Sequence, residues 1–217
     1  MIASRKANGG GNLVSGRALI FDFDGVLADT ENLYWQAWAE VLKRYGIDLS
    51  WSEYGLIGRG RTDQSMLSQL FGARLDPTML TALEAEAKMV RKIVLSQCKR
   101  KSPIPASSVT MLHSLQTYPL GLVTTSRRAE VEPLLQAAEI AGCFSAIVTR
   151  DDYRNPKPDP EPYLLIQERL GISGGLAFED SEAGQISAAS AGLTVVAVDD
   201  PGRLPEITAA SLKLYLA

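Results

Sequence analysis

Four apolar residues, Ala18 to Phe21, run directly into Asp22, Phe23 and Asp24. A short apolar run broken off by polar residues predicts a strand buried on both faces. The period then changes. Leu33, Ala37, Trp38, Val41, Leu42 and Tyr45 recur at helical spacing as far as Gly46, which is placed as a C-terminal stop. Thr62 or Asp63 can cap a second helix carrying Met66, Leu67, Leu70 and Phe71 and ending at Gly72. Asp76 followed by Pro77 pairs an N-cap with a first-turn residue and opens a longer helix, with Leu80, Leu83, Ala87, Val90 and Val94 on one side. Residues from about 31 to 101 therefore predict helices and no strand.

Past the linker KRKSPIPA, the pattern becomes strand and helix in alternation. Strands are expected at Leu120 to Thr124, Phe144 to Val148, Gly175 to Phe178 and Leu193 to Val198, with helices between them. Alternation of this kind predicts an α/β fold with a doubly wound parallel sheet, helices on both faces. The all-helical block interrupts it after the first strand. The expected organisation is thus a discontinuous core, residues 17–30 and 106–217, with a small helical lobe, residues 31–105, inserted into it. Residues 1–16 are rich in glycine and polar residues, lack the apolar stretch of a secretory signal, and are expected to be a disordered tail.

Composition narrows the class. The 217 residues, 46% of them hydrophobic, suffice for one substantial core, or for a core plus a smaller lobe. Lys and Arg total 22 against 25 Asp and Glu, a net charge of -3, which gives no general electrostatic reason for a nucleic-acid or anionic-membrane partner. The longest apolar runs fall far short of the about 20 residues that span a bilayer. Cys98 and Cys143 lack metal-ligand spacing and are expected to be reduced thiols, in keeping with a cytoplasmic monomer. The single histidine, His113, lies away from the polar strand ends and is expected to be structural or at the surface; Trp35, Trp38 and Trp51 are expected to pack the helical lobe, and Met66, Met79 and Met89 to fill its core.

In open parallel sheets the ligand crevice lies outside the carboxyl ends of the strands, and the conspicuous polar residues fall there. Asp22 and Asp24 follow the first strand, Thr124, Thr125 and Ser126 the second, and Glu179 with Asp180 a later one; Lys157 sits in a proline-stiffened loop before the helix opened by Asp159 and Pro160. Four acids gathered at one sheet edge repel each other unless a cation neutralises them, and hard oxygen ligands suit Mg²⁺. A lysine and a set of hydroxyl and amide donors beside that cation complement an anionic group such as phosphate.

These residues resemble the four motifs of the haloacid dehalogenase-like superfamily, in its phosphatase and phosphomutase branch, and the resemblance covers nearly the whole chain from Arg17. DxDGxxxDT is met by Asp22, Asp24, Gly25, Asp29 and Thr30, the hydroxyl after a strand by Thr124, KPxP approximately by Lys157 in KPDPEP, and EDSxxG by Glu179, Asp180, Ser181 and Gly184. The resemblance implies a Rossmann-like core with a small helical cap and a phosphoryl-transfer chemistry. Asp22 would attack phosphorus and Asp24 would act as acid and base. Mg²⁺ would be held by the Asp22 side chain, the Asp24 carbonyl, Glu179 and Asp180. Thr124 and Lys157 would hold the phosphoryl oxygens, with Gly25, Thr125 and Ser126 beside them, and Arg61 of the cap and Arg127 would reach the rest of the substrate. The acid at position 24 separates the chain from the dehalogenase branch. Departures from the mutase pattern, Tyr34 in place of a histidine and Arg127-Arg128 in place of Lys-Asn, favour a phosphatase of a small phosphorylated, sugar phosphate-like metabolite over a β-phosphoglucomutase-type enzyme. The intact Asp22–Asp24 pair speaks against a non-catalytic phosphometabolite-binding protein.

Overall fold

The computed structural model describes residues 18–216, so Arg17 and the expected tail, residues 1–16, lie outside them. Five parallel strands form one sheet: β1 (Ala18–Phe21), β2 (Leu120–Val123), β3 (Ala146–Val148), β4 (Gly175–Glu179) and β5 (Thr194–Ala197), in the order β3-β2-β1-β4-β5. Phe21 is in register with Leu122 on one side and Phe178 on the other. From β1 the chain builds outward through β2 and β3, then returns to build β4 and β5 on the opposite side. The winding direction thus switches between β1 and β4, which opens a crevice at their carboxyl ends.

Strands β1, β2 and β4 are buried on both faces, which is why they read as unbroken apolar runs. Leu19 and Phe21 face one layer, built by α5 (Ala106–Ser114), α6 (Arg128–Ala137) and α9 (Leu204–Leu216) through Leu112, Leu135 and Leu204. On that face the rings of Phe21 and Phe178 stack at 4.7 Å. Ala18 and Ile20 face the other layer, α7 (Glu161–Leu170) and α8 (Glu182–Ser190), through Tyr163, Ile166 and Ala188. Gly121 lets α7 approach the sheet, since a Cβ there would lie 2.9 Å from Ile166 Cγ1.

Four helices stand between β1 and α5: α1 (Glu31–Lys43), α2 (Trp51–Ile57), α3 (Asp63–Phe71) and α4 (Pro77–Arg100). Their capping follows the sequence. Thr62 accepts from Ser65 N at 3.2 Å, Asp76 accepts from Met79 N at 2.8 Å ahead of Pro77, and Gly46 takes a φ of +74° after α1. Trp38, Leu42, Leu67, Leu83 and Val90 close the interior of this block, continuous with the apolar cluster on the Phe21 face.

Some expectations need correction. The helix α2 was not anticipated; with seven residues it is too short to show periodicity, and its signal is the capping box in which Ser50 Oγ accepts from Glu53 N at 3.2 Å and Ser50 N donates to Glu53 Oε2 at 3.0 Å. The strand expected from Phe144 begins at Ala146, two residues later, shortly after the tight turn Ala141–Cys143. Met89 is 59% exposed, since the buried stripe of α4 runs through Leu83, Ala87, Val90 and Val94 and leaves position 89 outward. Trp51 is likewise exposed on one side, its ring set edge-on to Trp35.

Candidate active site

The carboxyl ends of β1 and β4 bring three acids together. Among the described residues, carboxylate oxygens of Asp22, Glu179 and Asp180 lie within 4.8 Å of one another. Lys157, whose side chain is 0% exposed, bridges two of them, donating to Asp22 Oδ1 at 2.7 Å and to Glu179 Oε1 at 2.5 Å. Burial opposes the ammonium charge, but the two carboxylates outweigh it and hold the Lys157 pKa well above the ordinary lysine value. Tyr163, from the layer beneath, donates to the same Glu179 oxygen and presents its ring to Lys157 at 5.3 Å. Burial raises the Asp22 pKa well above the ordinary carboxylate range, with Lys157 pulling in the opposite direction.

Asp24 is turned away from this cluster. Its carboxylate accepts from Thr30 Oγ1 at 2.5 Å, from Ser126 Oγ at 2.6 Å and from Thr124 Oγ1 at 3.4 Å. Burial raises its pKa, and the Ser126 and Thr30 hydroxyls offset part of that rise. Thr124 is itself held by the Ser126 amide, 2.9 Å from its Oγ1. Two glycines allow the packing. Gly25 has a φ of +80°, and a Cβ there would lie 2.1 Å from Asp180 Oδ2; a Cβ at Gly184 would lie 2.0 Å from Glu179 Oε2.

The acids fit a hard divalent cation. Asp180 Oδ1 is a buried acceptor with no partner among the described residues, and the three carboxylates offer oxygens within 4.8 Å of one another, a donor set that suits such an ion. Burial pushes the Asp180 pKa up to about 6, although Arg59 opposes it.

A cavity of about 420 Å³ adjoins the cluster, between the helical block and the sheet. Asp24, Thr125, Ser126 and Arg127 line it from the sheet side and Arg61 from the helical side. Asp22, Asp24, Thr124, Ser126, Lys157, Glu179 and Asp180, far apart in sequence, are thus brought into one site, with Gly25 beneath them. Thr125, Arg61 and Arg127 stand on the wall of the adjoining cavity.

The structure also brings to the site residues to which the sequence analysis assigned no role there. Glu31, buried beside Tyr54 on the cavity wall, has its pKa raised to about 8 by burial and then by the charges of Asp180 and Asp24. Asp63, read only as a helix cap, accepts from Trp38 Nε1 at 3.0 Å and pairs with Arg91, which also reaches Glu130 Oε1 at 3.1 Å across the cavity. In the loop that carries Arg61, the neighbouring Arg59 reaches the acidic cluster, at 2.5 Å from Asp180 Oδ2. A charged residue in a glycine-flanked loop was the available signal for Arg59; nothing local marks Arg91 or Glu130. Tyr34 stands on the cavity wall, its pKa driven well up by burial and the Asp24 charge.

Comparison with known proteins gives a consistent picture. The sequence profile of a family described as haloacid dehalogenase-like hydrolase matches residues 19–198. A phosphorylated carbohydrates phosphatase of Thermotoga maritima is 32% identical over 178 residues, covering 81% of this chain and 82% of the relative. A fructose-1-phosphate phosphatase of Escherichia coli (strain K12) is 33% identical over 187 residues, 83% of this chain and 95% of the relative. Among solved structures, a β-phosphoglucomutase of Clostridium difficile superposes with a TM-score of 0.75 over 93% of this chain and 99% of its own, at 20% identity, a likeness of fold.

Proposed function

The chain belongs to the haloacid dehalogenase-like hydrolase family, and from that premise we propose that it is a phosphoric monoester hydrolase acting on a small phosphorylated metabolite of the sugar phosphate kind. The observation that carries this reading is the convergence of Asp22, Glu179 and Asp180 within 4.8 Å, with Lys157 bridging the first two.

The residues divide the chemistry among themselves. Lys157 engages Asp22 Oδ1, which leaves Oδ2 as the oxygen that attacks phosphorus in line and forms an aspartyl-phosphate. Asp24, kept protonated more readily by its burial, gives its proton to the departing alcohol oxygen and afterwards takes one from the water that cleaves the aspartyl-phosphate. The Thr30, Thr124 and Ser126 hydroxyls hold that carboxyl in place between the two steps. Thr124, the backbone amides near it and Lys157 surround the phosphoryl oxygens, and placed charge of this kind supplies most of the rate gain in phosphoryl transfer. Mg²⁺ held by Asp22, Glu179, Asp180 and the Asp24 carbonyl would add positive charge against the same oxygens.

The helical block, residues 31–105, is proposed as the cap that shields this chemistry from water. The cavity beneath it is polar, with Glu31, Tyr34, Tyr54, Gln64 and Ser126 on its wall, which suits a hydroxylated substrate body. Relatives at 32–33% identity are named as phosphatases, whereas the solved structures named as β-phosphoglucomutases are 20–27% identical, so hydrolysis is preferred to phosphomutation.

The test is phosphate release from p-nitrophenyl phosphate with Mg²⁺. Asp22→Asn should lower it by at least about a thousandfold with an unchanged circular dichroism spectrum, and chelation of the metal should stop the native enzyme reversibly. Turnover that survives in Asp22→Asn would contradict the assignment.

A further inference from the structure

Arg59 sits in the loop between α2 and α3, 121 positions before Asp180, yet its guanidinium donates to Asp180 Oδ2 at 2.5 Å. The loop rests directly on the turn after β4: Gly60 takes a φ of +66°, and a Cβ there would lie 2.0 Å from Ser181 Oγ. The Asp180 side chain is fully buried while that of Arg59 is 25% exposed, with its guanidinium over the Trp51 ring at 5.7 Å. The pairing is incomplete. Arg59 Nε and Asp180 Oδ1 are both buried without partners among the described residues, so the contact lacks the paired hydrogen bonds of the strongest arginine–carboxylate geometry. Nearby, Glu31 Oε2 is also without a partner. Three clustered carboxylates are thus met by two internal cations, Lys157 from within the core and Arg59 from the helical block.

We propose that Arg59 is a positioning residue, the internal counter-ion of Asp180, and that it and a divalent cation compete for this carboxylate, so that metal loading releases the loop around residue 59 from the core. The proposal rests on the metal reading given above. Charge drives the exchange: a divalent ion added with Arg59 in place would leave the cluster with excess positive charge, and departure of the partly exposed, singly bonded guanidinium relieves it.

Two measurements on the full chain without substrate test this. Mg²⁺ titration by calorimetry should show Arg59→Gln binding the ion at least about fivefold more tightly than the native protein, with Arg59→Lys close to native and Asp180→Asn weaker than either. Equal or weaker binding by Arg59→Gln overturns the proposal. Binding absent from both the native protein and Arg59→Gln removes the metal reading and the proposal with it. The second measurement needs no variant. Saturating Mg²⁺ should speed amide hydrogen exchange at residues 58–62 of the native protein; unchanged or slower exchange there overturns the competition even where metal binding itself is intact.

Discussion

Lys157 shows what a single residue does here. Its ammonium lies between two buried carboxylates, and removing one partner of a buried charge pair leaves the other uncompensated, at a cost of about 3–5 kcal/mol. Lys157→Met should therefore lower stability in metal-free buffer by about that amount in urea titration, and a change below about 1 kcal/mol would mean that Asp22 and Glu179 do not depend on it. Gly25 is the second case. An alanine there meets both a φ of +80° and a contact of 2.1 Å with Asp180 Oδ2, so Gly25→Ala should displace Asp180 and weaken Mg²⁺ binding as read by calorimetry; native affinity in that variant would show that Asp180 is not held where the structure puts it. The acids themselves were legible in the sequence, because each follows an apolar run or a short motif. Lys157 and the hydroxyls were legible as site residues too, but not their pairings: Lys157 and Asp22 are 135 positions apart, and no local pattern states which hydroxyls hold Asp24.

Strands and long helices were legible for a related reason, since burial on both faces leaves an apolar run and burial on one face leaves a period. Short connecting elements leave neither, and the turn Arg150–Asp152 after β3 is one of them. Asp152 in that turn accepts from Thr149 N at 2.7 Å, from Arg128 of α6 at 2.9 Å and from Arg169 of α7 at 2.8 Å, while Arg169 also donates to Ile147 O of β3 at 2.6 Å. It ties together the ends of three elements. Despite partial burial, the Arg169 and Thr149 donors bring its pKa down to about 2. A carboxyl whose folded pKa lies below its unfolded value of about 3.9 stabilises the fold above that value and loses the contribution as pH falls toward the folded one. Asp152→Asn should cost about 1–3 kcal/mol at neutral pH, and the gap between variant and native protein should close as the pH is taken from 4 to 2. A gap independent of pH would assign the loss to packing.

For the molecule as a whole, the sheet order places the winding switch between β1 and β4, and the helical insertion departs from β1 at the same end. The sequence pattern anticipated the insertion after the first strand and the polar residues at the strand ends, but not the strand order, and the contacts that press the helical block onto the core, Arg59 with Asp180 and Arg91 with Glu130, are long-range and became visible only in the fold. Because the acids are repelled from each other in the folded state alone, a cation should stabilise the whole chain. Mg²⁺ at about a hundred times its dissociation constant should add about 2.7 kcal/mol, raising the thermal midpoint by roughly 5–10 °C for a chain of this size, and no upward shift would contradict a folded-state metal site. The central claim is that Asp22 becomes phosphorylated while Asp24 governs release. It is tested most directly by mass spectrometry of Asp24→Ala after exposure to acetyl phosphate and Mg²⁺: the account predicts one added phosphoryl group on the peptide that contains Asp22, and phosphate turnover with that peptide unmodified, or with the group on another residue, would contradict it.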